Sequence, residues 1–233
     1  MMRAMLTALA EDLWVRDQPQ RFYGVEVGTR MTVVRLADGG LWLHSPVRPT
    51  PELRAAVDAL GPVRWLVAPN RWHHLYVGDW QAAYPGAAAY GAPRLAKKRP
   101  DLKLAGELGD AAPAGWAGQI DQHARGGAPV MSEVVFLHRK SRSLIVSDTA
   151  HNFGDGTPAG TRAFFTLLGG WRGFRTTAAD RMVTRDRDQA RASLERMLAW
   201  DFDRIVVCHG AVLESGGKEA LRRAYDWLMP SAG

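Results

Sequence analysis

Val67-Ala68-Pro69-Asn70-Arg71-Trp72-His73-His74 leaves an apolar run and ends on two adjacent histidines. Arg64-Trp-Leu-Val-Ala68 reads as a strand that feeds this loop. Two neutral imidazoles at a strand end are well placed to ligate a metal, because a scaffold holds them while they still reach solvent. Metal binding at this point separates a hydrolase from a protein with an inert pocket.

Working outward, Met31–Leu36 and Leu41–His44 flank Asp38-Gly39-Gly40 and read as a β-hairpin, since Asp and Gly tolerate positive φ. Thr50-Pro51-Glu52 opens a helix with an N-cap threonine, a first-turn proline and a carboxylate near the positive dipole end. Leu53, Ala56, Val57 and Leu60 give it an apolar stripe, and Gly61-Pro62 ends it. A short helix is expected around Gly78 to Tyr84, followed by a strand over Ala87–Tyr90. Residues 91–118 are rich in Pro, Gly and Ala, and predict short helices and loop, with a lid as one option.

Val134–His138 and Ser143–Ser147 form a second hairpin across the polar turn Arg139–Arg142. An apolar helix is predicted over 161–172 and a longer amphipathic one over Asp186–Trp200, with Ala190, Leu194, Met197 and Leu198 inward, then a strand over Asp203–Cys208 and a closing helix over Glu219–Leu228. Hairpins first and alternating strands and helices later predict sheets covered by helices in one α/β domain spanning 1–233.

The chain has 233 residues and is 46% hydrophobic, enough for a buried core. No apolar run reaches the roughly 20 residues a bilayer span needs. The start, Met1–Ala10, runs directly into Glu11-Asp12 and the strand-like Leu13-Trp14-Val15, and so reads as fold rather than as a cleaved leader. The single cysteine, Cys208, cannot form an internal disulfide, which suits the cytoplasm; on its apolar strand it reads as a small buried hydrophobe rather than a nucleophile. The net charge of +6 is carried mostly by scattered arginines, and the one tight basic run is Lys97-Lys98-Arg99. A solvated surface is therefore the expectation over nucleic-acid binding. With nine tryptophans, some are expected at a site or interface, Trp72 and Trp171 among them, and exposed ones would point to a homodimer.

Three strand ends carry unusual polar residues: His73-His74, Asp148 and His209. Histidine and carboxylate are the ligand set of catalytic zinc and also suit iron. In this order the segments resemble the metallo-β-lactamase fold superfamily, most closely its DUF4336 branch. Leu41-Trp-Leu-His44-Ser45-Pro46 falls where the superfamily has a strand ending in Asp, and Asn70–His74 where it has a His-x-His-x-Asp-His loop. Leu144–Asp148 falls on the strand ending in the metal-bridging Asp, and Val206-Val-Cys-His209-Gly210 on the last ligand His. The fold this resemblance implies is an α/β (α+β) αββα sandwich of two mixed sheets flanked by helices, with the site along one edge of the sheets.

The departures narrow the expectation. With His74 on the loop's last His, His73 takes the Asp position, and Pro69 and Arg71 fall on the first two histidines. The ligand His due near Pro129 is missing, since the segment reads Gly126-Gly-Ala-Pro-Val-Met-Ser-Glu133. One of two metal sites has lost its ligands, and the resemblance leaves His73, His74, Asp148 and His209 for one divalent ion. Zinc leads, with iron or manganese as alternatives, or no metal at all. Asp148 doubles as the catalytic group that accepts a proton from water.

Four residues are expected around these ligands: His44 at the site floor, Arg71 as a guanidinium in the vacated position, Glu133 as an orienting carboxylate that could instead pair with Arg71, and His151 as a shuttle or loop residue. His123 and His138 read as solvated. Gly169-Gly170 reads as a hinge or as plain helix termination. The function implied is hydrolysis of a small ester, lactone or phosphoester. The alternatives are a metal-free relative binding an anionic ligand or a protein partner, and a basic surface for nucleic acid.

Overall fold

The computed structural model describes residues 5–229, so Met1–Ala4 of the apolar start lies outside the described residues. The chain opens with β1 (Thr7–Ala10), β2 (Leu13–Gln18), β3 (Arg21–Phe22), β4 (Val25–Glu26), β5 (Thr29–Arg35) and β6 (Leu41–His44). It continues with α1 (Pro51–Asp58), β7 (Val63–Ala68), α2 (Val77–Ala83), β8 (Ala88–Gly91), α3 (Leu95–Lys98) and β9 (Leu104–Glu107). The second half holds β10 (Ile120–Ala124), β11 (Val134–His138), β12 (Ser143–Ile145), β13 (His151–Phe153), α4 (Ala159–Leu167) and β14 (Gly173–Arg175). It closes with α5 (Ala178–Val183), α6 (Arg187–Ala199), β15 (Arg204–Val206) and α7 (Gly217–Ala224).

Two mixed sheets result. One runs β1-β2-β5-β6-β7-β8-β9, antiparallel up to β6 and parallel from β6 onward. The other runs β10-β11-β12-β15, with β12 and β15 parallel. Their central strands are apolar on both faces, as strands covered on two sides must be. On β7, Leu66 and Ala68 face the core shared with α1 and α2, while Val67 faces Phe136, Ile145 and Val206 of the other sheet. On β11, Val135 and Leu137 turn instead toward Leu194 and Met197 of α6 and Leu221 of α7. Three apolar layers therefore separate helix, sheet, sheet and helix, which is the αββα sandwich.

The Asp38-Gly39-Gly40 turn joins β5 to β6 with Gly39 at φ +79°. Thr50 caps α1 by accepting the Leu53 N–H, with Pro51 in the first turn. Gly169, at φ +68°, follows α4, and the N–H of Gly170 returns to the Phe165 carbonyl, so this pair terminates a helix. The 91–118 segment is not a lid: it supplies α3, the edge strand β9 and the fully buried Trp116. An edge strand of four residues, alternately half-buried and exposed, gives too short a pattern to stand out in sequence.

His123 and His138 are buried rather than solvated. Each has local hydroxyl or carboxylate partners that offset the loss of water: Asp110 and Ser193 for His123, and Ser141 for His138. Among the described residues no helix is long and apolar enough to cross a membrane.

Candidate metal centre

β6 and β7 run parallel in one sheet, and β12 and β15 run parallel in the other. Their C-terminal ends lie at one edge of the sandwich, where loops can converge. The N–H of Val134 on the Pro69 carbonyl ties the two sheets together there (2.8 Å). At that edge His73, Asp148 and His209 meet. His73 Nε2 lies 3.2 Å from His209 Nε2 and 3.4 Å from Asp148 Oδ1, and His209 Nε2 lies 3.2 Å from the same Oδ1. Ligands at about 2.0–2.1 Å from a tetrahedral ion sit roughly 3.3–3.4 Å apart, so the three atoms already have the spacing of one coordination face. Residues, spacing and donor set all fit a single divalent cation.

Each ligand is held from behind, as metal-binding side chains usually are. His209 Nδ1 meets the Gly28 carbonyl at 2.8 Å. A carbonyl only accepts, so the proton of the neutral ring sits on Nδ1 and Nε2 keeps a free lone pair. His73 Nδ1 meets Ser45 Oγ at 2.7 Å, and Ser45 occupies a left-handed backbone position at φ +51° directly after β6. Asn70, fully buried, organises the rest. Its Oδ1 accepts the N–H groups of Trp72 and His73, both at 2.8 Å, in an Asx turn. Its Nδ2 donates to Ser147 Oγ at 2.9 Å and to Asp148 Oδ2 at 2.5 Å, leaving Oδ1 of the carboxylate to face the histidines.

The electrostatics favour a positive charge between these groups. Burial works against the His73 imidazolium, yet the facing Asp148 carboxylate outweighs it and holds His73 well above the usual histidine range. Asp148 is likewise disfavoured as an anion by burial, but His73 and His209 hold it well below the usual carboxylate range.

Of the four residues expected to ligate, the structure brings three together and turns His74 away. The turn closed by Asn70 points His73 inward, and the adjacent His74 sends its Nδ1 to the Arg99 guanidinium at 2.9 Å. Arginine only donates, so His74 Nδ1 accepts and the proton lies on Nε2. Burial, with Lys98 and Arg99 nearby, holds His74 down to about 4. Arg71 does not reach the position expected of it: the cleft takes Trp72, His73 and His74 from this loop, while the Arg71 carbonyl accepts Lys98 Nζ.

Glu133 acts on the ligand loop from beneath. It is 1% exposed and accepts the N–H groups of Ser147 (2.7 Å) and Asp148 (3.0 Å). Among the described residues no ion pair joins it to Arg71; burial pushes its carboxyl up against the pull of the Arg125 guanidinium, which itself donates to Thr149 Oγ1 (3.0 Å). His44 lies between the sheets, its ring stacked on Trp42 and edge-on to Phe136, and burial holds it down to about 3. His151 lines the cleft, its ring 5.7 Å from His209 and 5.1 Å from Phe165, and burial keeps it below the usual histidine range.

Trp72 stands at the cleft, while Trp171 packs with Val27, Phe153 and Phe165. Cys208 is a buried thiol whose Sγ donates to the Arg30 carbonyl. Sequence reasoning missed Asn70, Ser45 and Gly28. An Asn directly after a strand-ending proline is an Asx-turn signal that could have found the first; the other two carry no signal in one sequence.

The family model described as a domain of unknown function, DUF4336, matches residues 10–164. No curated protein matches the chain. Among solved structures, a metallo-β-lactamase from Pontibacter korlensis is similar at 15% identity and TM-score 0.61, over 93% of this chain and 98% of that one. The metallo-β-lactamase FIM-1 from Pseudomonas aeruginosa, in a mono-zinc form, is similar at 13% identity and TM-score 0.62, over 97% and 96%. The flavodiiron core of Flv1 from Synechocystis is similar at 13% identity and TM-score 0.64, over 96% of this chain but 60% of its own. These likenesses establish the fold.

Proposed function

The chain belongs to the DUF4336 family, with a metallo-β-lactamase-like fold, and from that premise we propose that it is a hydrolase using one divalent metal ion held by His73, Asp148 and His209. The observation that carries this reading is the set of three ligand atoms 3.2–3.4 Å apart, each fixed from behind by Ser45, Asn70 or Gly28. A divalent cation there supplies Lewis acidity, lowering the pKa of water and polarising an ester or phosphoryl oxygen. Two histidines and one carboxylate suit zinc first and leave positions open for water and substrate; the same set also suits iron or manganese.

The chain's own groups do the rest. Asp148 Oδ1, among the described residues the one carboxylate oxygen facing the histidine pair, accepts a proton from water. His151, kept neutral by burial at the cleft wall, is the second group able to take one.

Protein purified without added metal should carry up to one equivalent of a divalent ion. Stripped protein should regain one equivalent on titration with Zn²⁺, Fe²⁺ or Mn²⁺, and the reloaded enzyme should cleave members of an ester, lactone and phosphoester panel. His209→Ala and Asp148→Asn should lose both metal and turnover while remaining folded. Wild-type protein that takes up none of these ions, with both variants indistinguishable from it, overturns the reading.

A further inference from the structure

The metal ligands His73, Asp148 and His209 are three of the residues lining a cleft of about 750 Å³, a size within the range of small-molecule sites. Beyond them the wall is apolar: Phe164 and Leu168 from α4 and its end, Val183 from α5, and Val27 before β5. The charged residues that line the cleft outside the metal group are already engaged. Asp180 accepts the N–H and hydroxyl of Thr177 (2.6 and 2.8 Å), Lys98 donates to the Arg71 carbonyl (2.5 Å), and Arg21 pairs with Glu26 (3.8 Å).

The rim continues the pattern. Among the described residues six large hydrophobic side chains are exposed, and four of them, Phe22, Tyr23, Leu75 and Val130, line this cleft. The other two, Leu167 and Met182, directly precede the lining residues Leu168 and Val183. Apolar side chains left in water and gathered at one opening mark a surface that a ligand covers.

We propose that the substrate is an amphiphile: a hydrolysable ester, thioester or lactone group placed at His73, Asp148 and His209, carrying an apolar chain or ring system laid against Phe164, Leu168 and Val183. This rests on the hydrolase reading for the reacting end only. The apolar end is set by the wall and is independent of metal.

The test separates the two. The neutral fluorophore N-phenyl-1-naphthylamine is titrated into wild-type and Asp148→Asn protein and displaced with 1-butanol, 1-hexanol, 1-octanol and 1-decanol. Saturable binding at one site is expected in both proteins, with displacement strengthening about fourfold or less per added methylene, since each buried CH₂ is worth about 0.8 kcal/mol. Leu168→Asp and the milder Val183→Ser, both at half-buried positions, should weaken it at least tenfold and about threefold, with unchanged circular dichroism. Non-saturable binding, displacement independent of chain length, or full binding in both wall variants overturns the proposal. So does binding seen only with phosphatidylcholine vesicles present, which would mark the rim as a membrane contact. Absence of hydrolysis by the metal-loaded wild-type protein, with chain-length-dependent binding intact, refutes the hydrolase reading alone.

Discussion

Asn70 Nδ2 donates to Asp148 Oδ2 at 2.5 Å while Asn70 Oδ1 holds the N–H of His73 at 2.8 Å. One amide thus sets the positions of two ligands that are 75 residues apart in sequence and lie on loops from different sheets. Its two ends are not interchangeable, because two backbone N–H groups require the oxygen and a carboxylate requires the nitrogen.

Asn70→Ala is expected to lower metal affinity by about 10–100-fold, the range for groups that hold metal ligands from behind. Asn70→Asp keeps the Asx turn but sets a second carboxylate against Asp148, and should be the weaker binder below saturating metal. Calorimetric titration of stripped protein with Zn²⁺ checks both, and equal affinity across wild type and variants would remove Asn70 from the site.

His74→Ala should bind metal with the stoichiometry and affinity of the wild type, because Arg99 occupies His74 Nδ1 and a guanidinium beside a ligand would repel the cation. His73→Ala should lose binding. The pair of adjacent histidines makes this a sharp comparison: the same titration on two neighbouring residues should give opposite results.

Sheets covered by helices were legible from the order of hairpins, strands and helices, while the αββα sandwich followed from the resemblance; central strands apolar on both faces, as Leu66, Val67 and Ala68 illustrate, are its physical basis. The order of His73, Asp148 and His209 was legible because each follows an apolar strand run, and loops after such strands converge. Which of His73 and His74 turns inward was not, because that depends on Asn70 closing a turn with Asp148 of the other sheet. Glu133 was visible as a carboxylate near the site. The nearby positive charge of Arg125 was not, because Arg125 arrives through the pairing of β10 with β11. Edge strand β9 was hidden by its own brevity.

Acid should weaken the fold through His138. Burial holds this imidazole down to about 4, while in the unfolded chain it titrates near 6.5. As a group with a depressed folded pKa that gains charge on protonation, it takes up its proton first in the unfolded state. Its contribution is therefore complete above about pH 6.5 and is lost as pH falls toward 4, at roughly 1.4 kcal/mol per pH unit. His138→Asn keeps a side-chain amide able to donate to Ser141 Oγ, whose own proton goes to Ser143 Oγ (2.9 Å), and removes the titration. Urea unfolding of the metal-free protein across pH 4 to 8 should show a shallower acid limb in the variant; parallel limbs would contradict this.

Asp110, His123 and Ser193 line up as carboxylate, imidazole and hydroxyl, with His123 Nδ1 at 2.8 Å from Asp110 and Nε2 at 2.6 Å from Ser193 Oγ. The arrangement has the contacts of a nucleophilic triad but not its setting. Ser193 is 5% exposed on the inner face of α6, and the N–H of Gly126, which could have faced an oxyanion, donates to Ser193 Oγ itself (3.2 Å). The contacts instead pin α6 to β10. Ser193→Ala leaves a buried imidazole nitrogen and a backbone N–H without their partner, and should cost about 1–3 kcal/mol in urea unfolding. Turnover of p-nitrophenyl esters by the metal-loaded protein should not change under conditions where the variant is fully folded. A loss of ester turnover without a loss of stability would reverse this assignment and make Ser193 a second reactive centre.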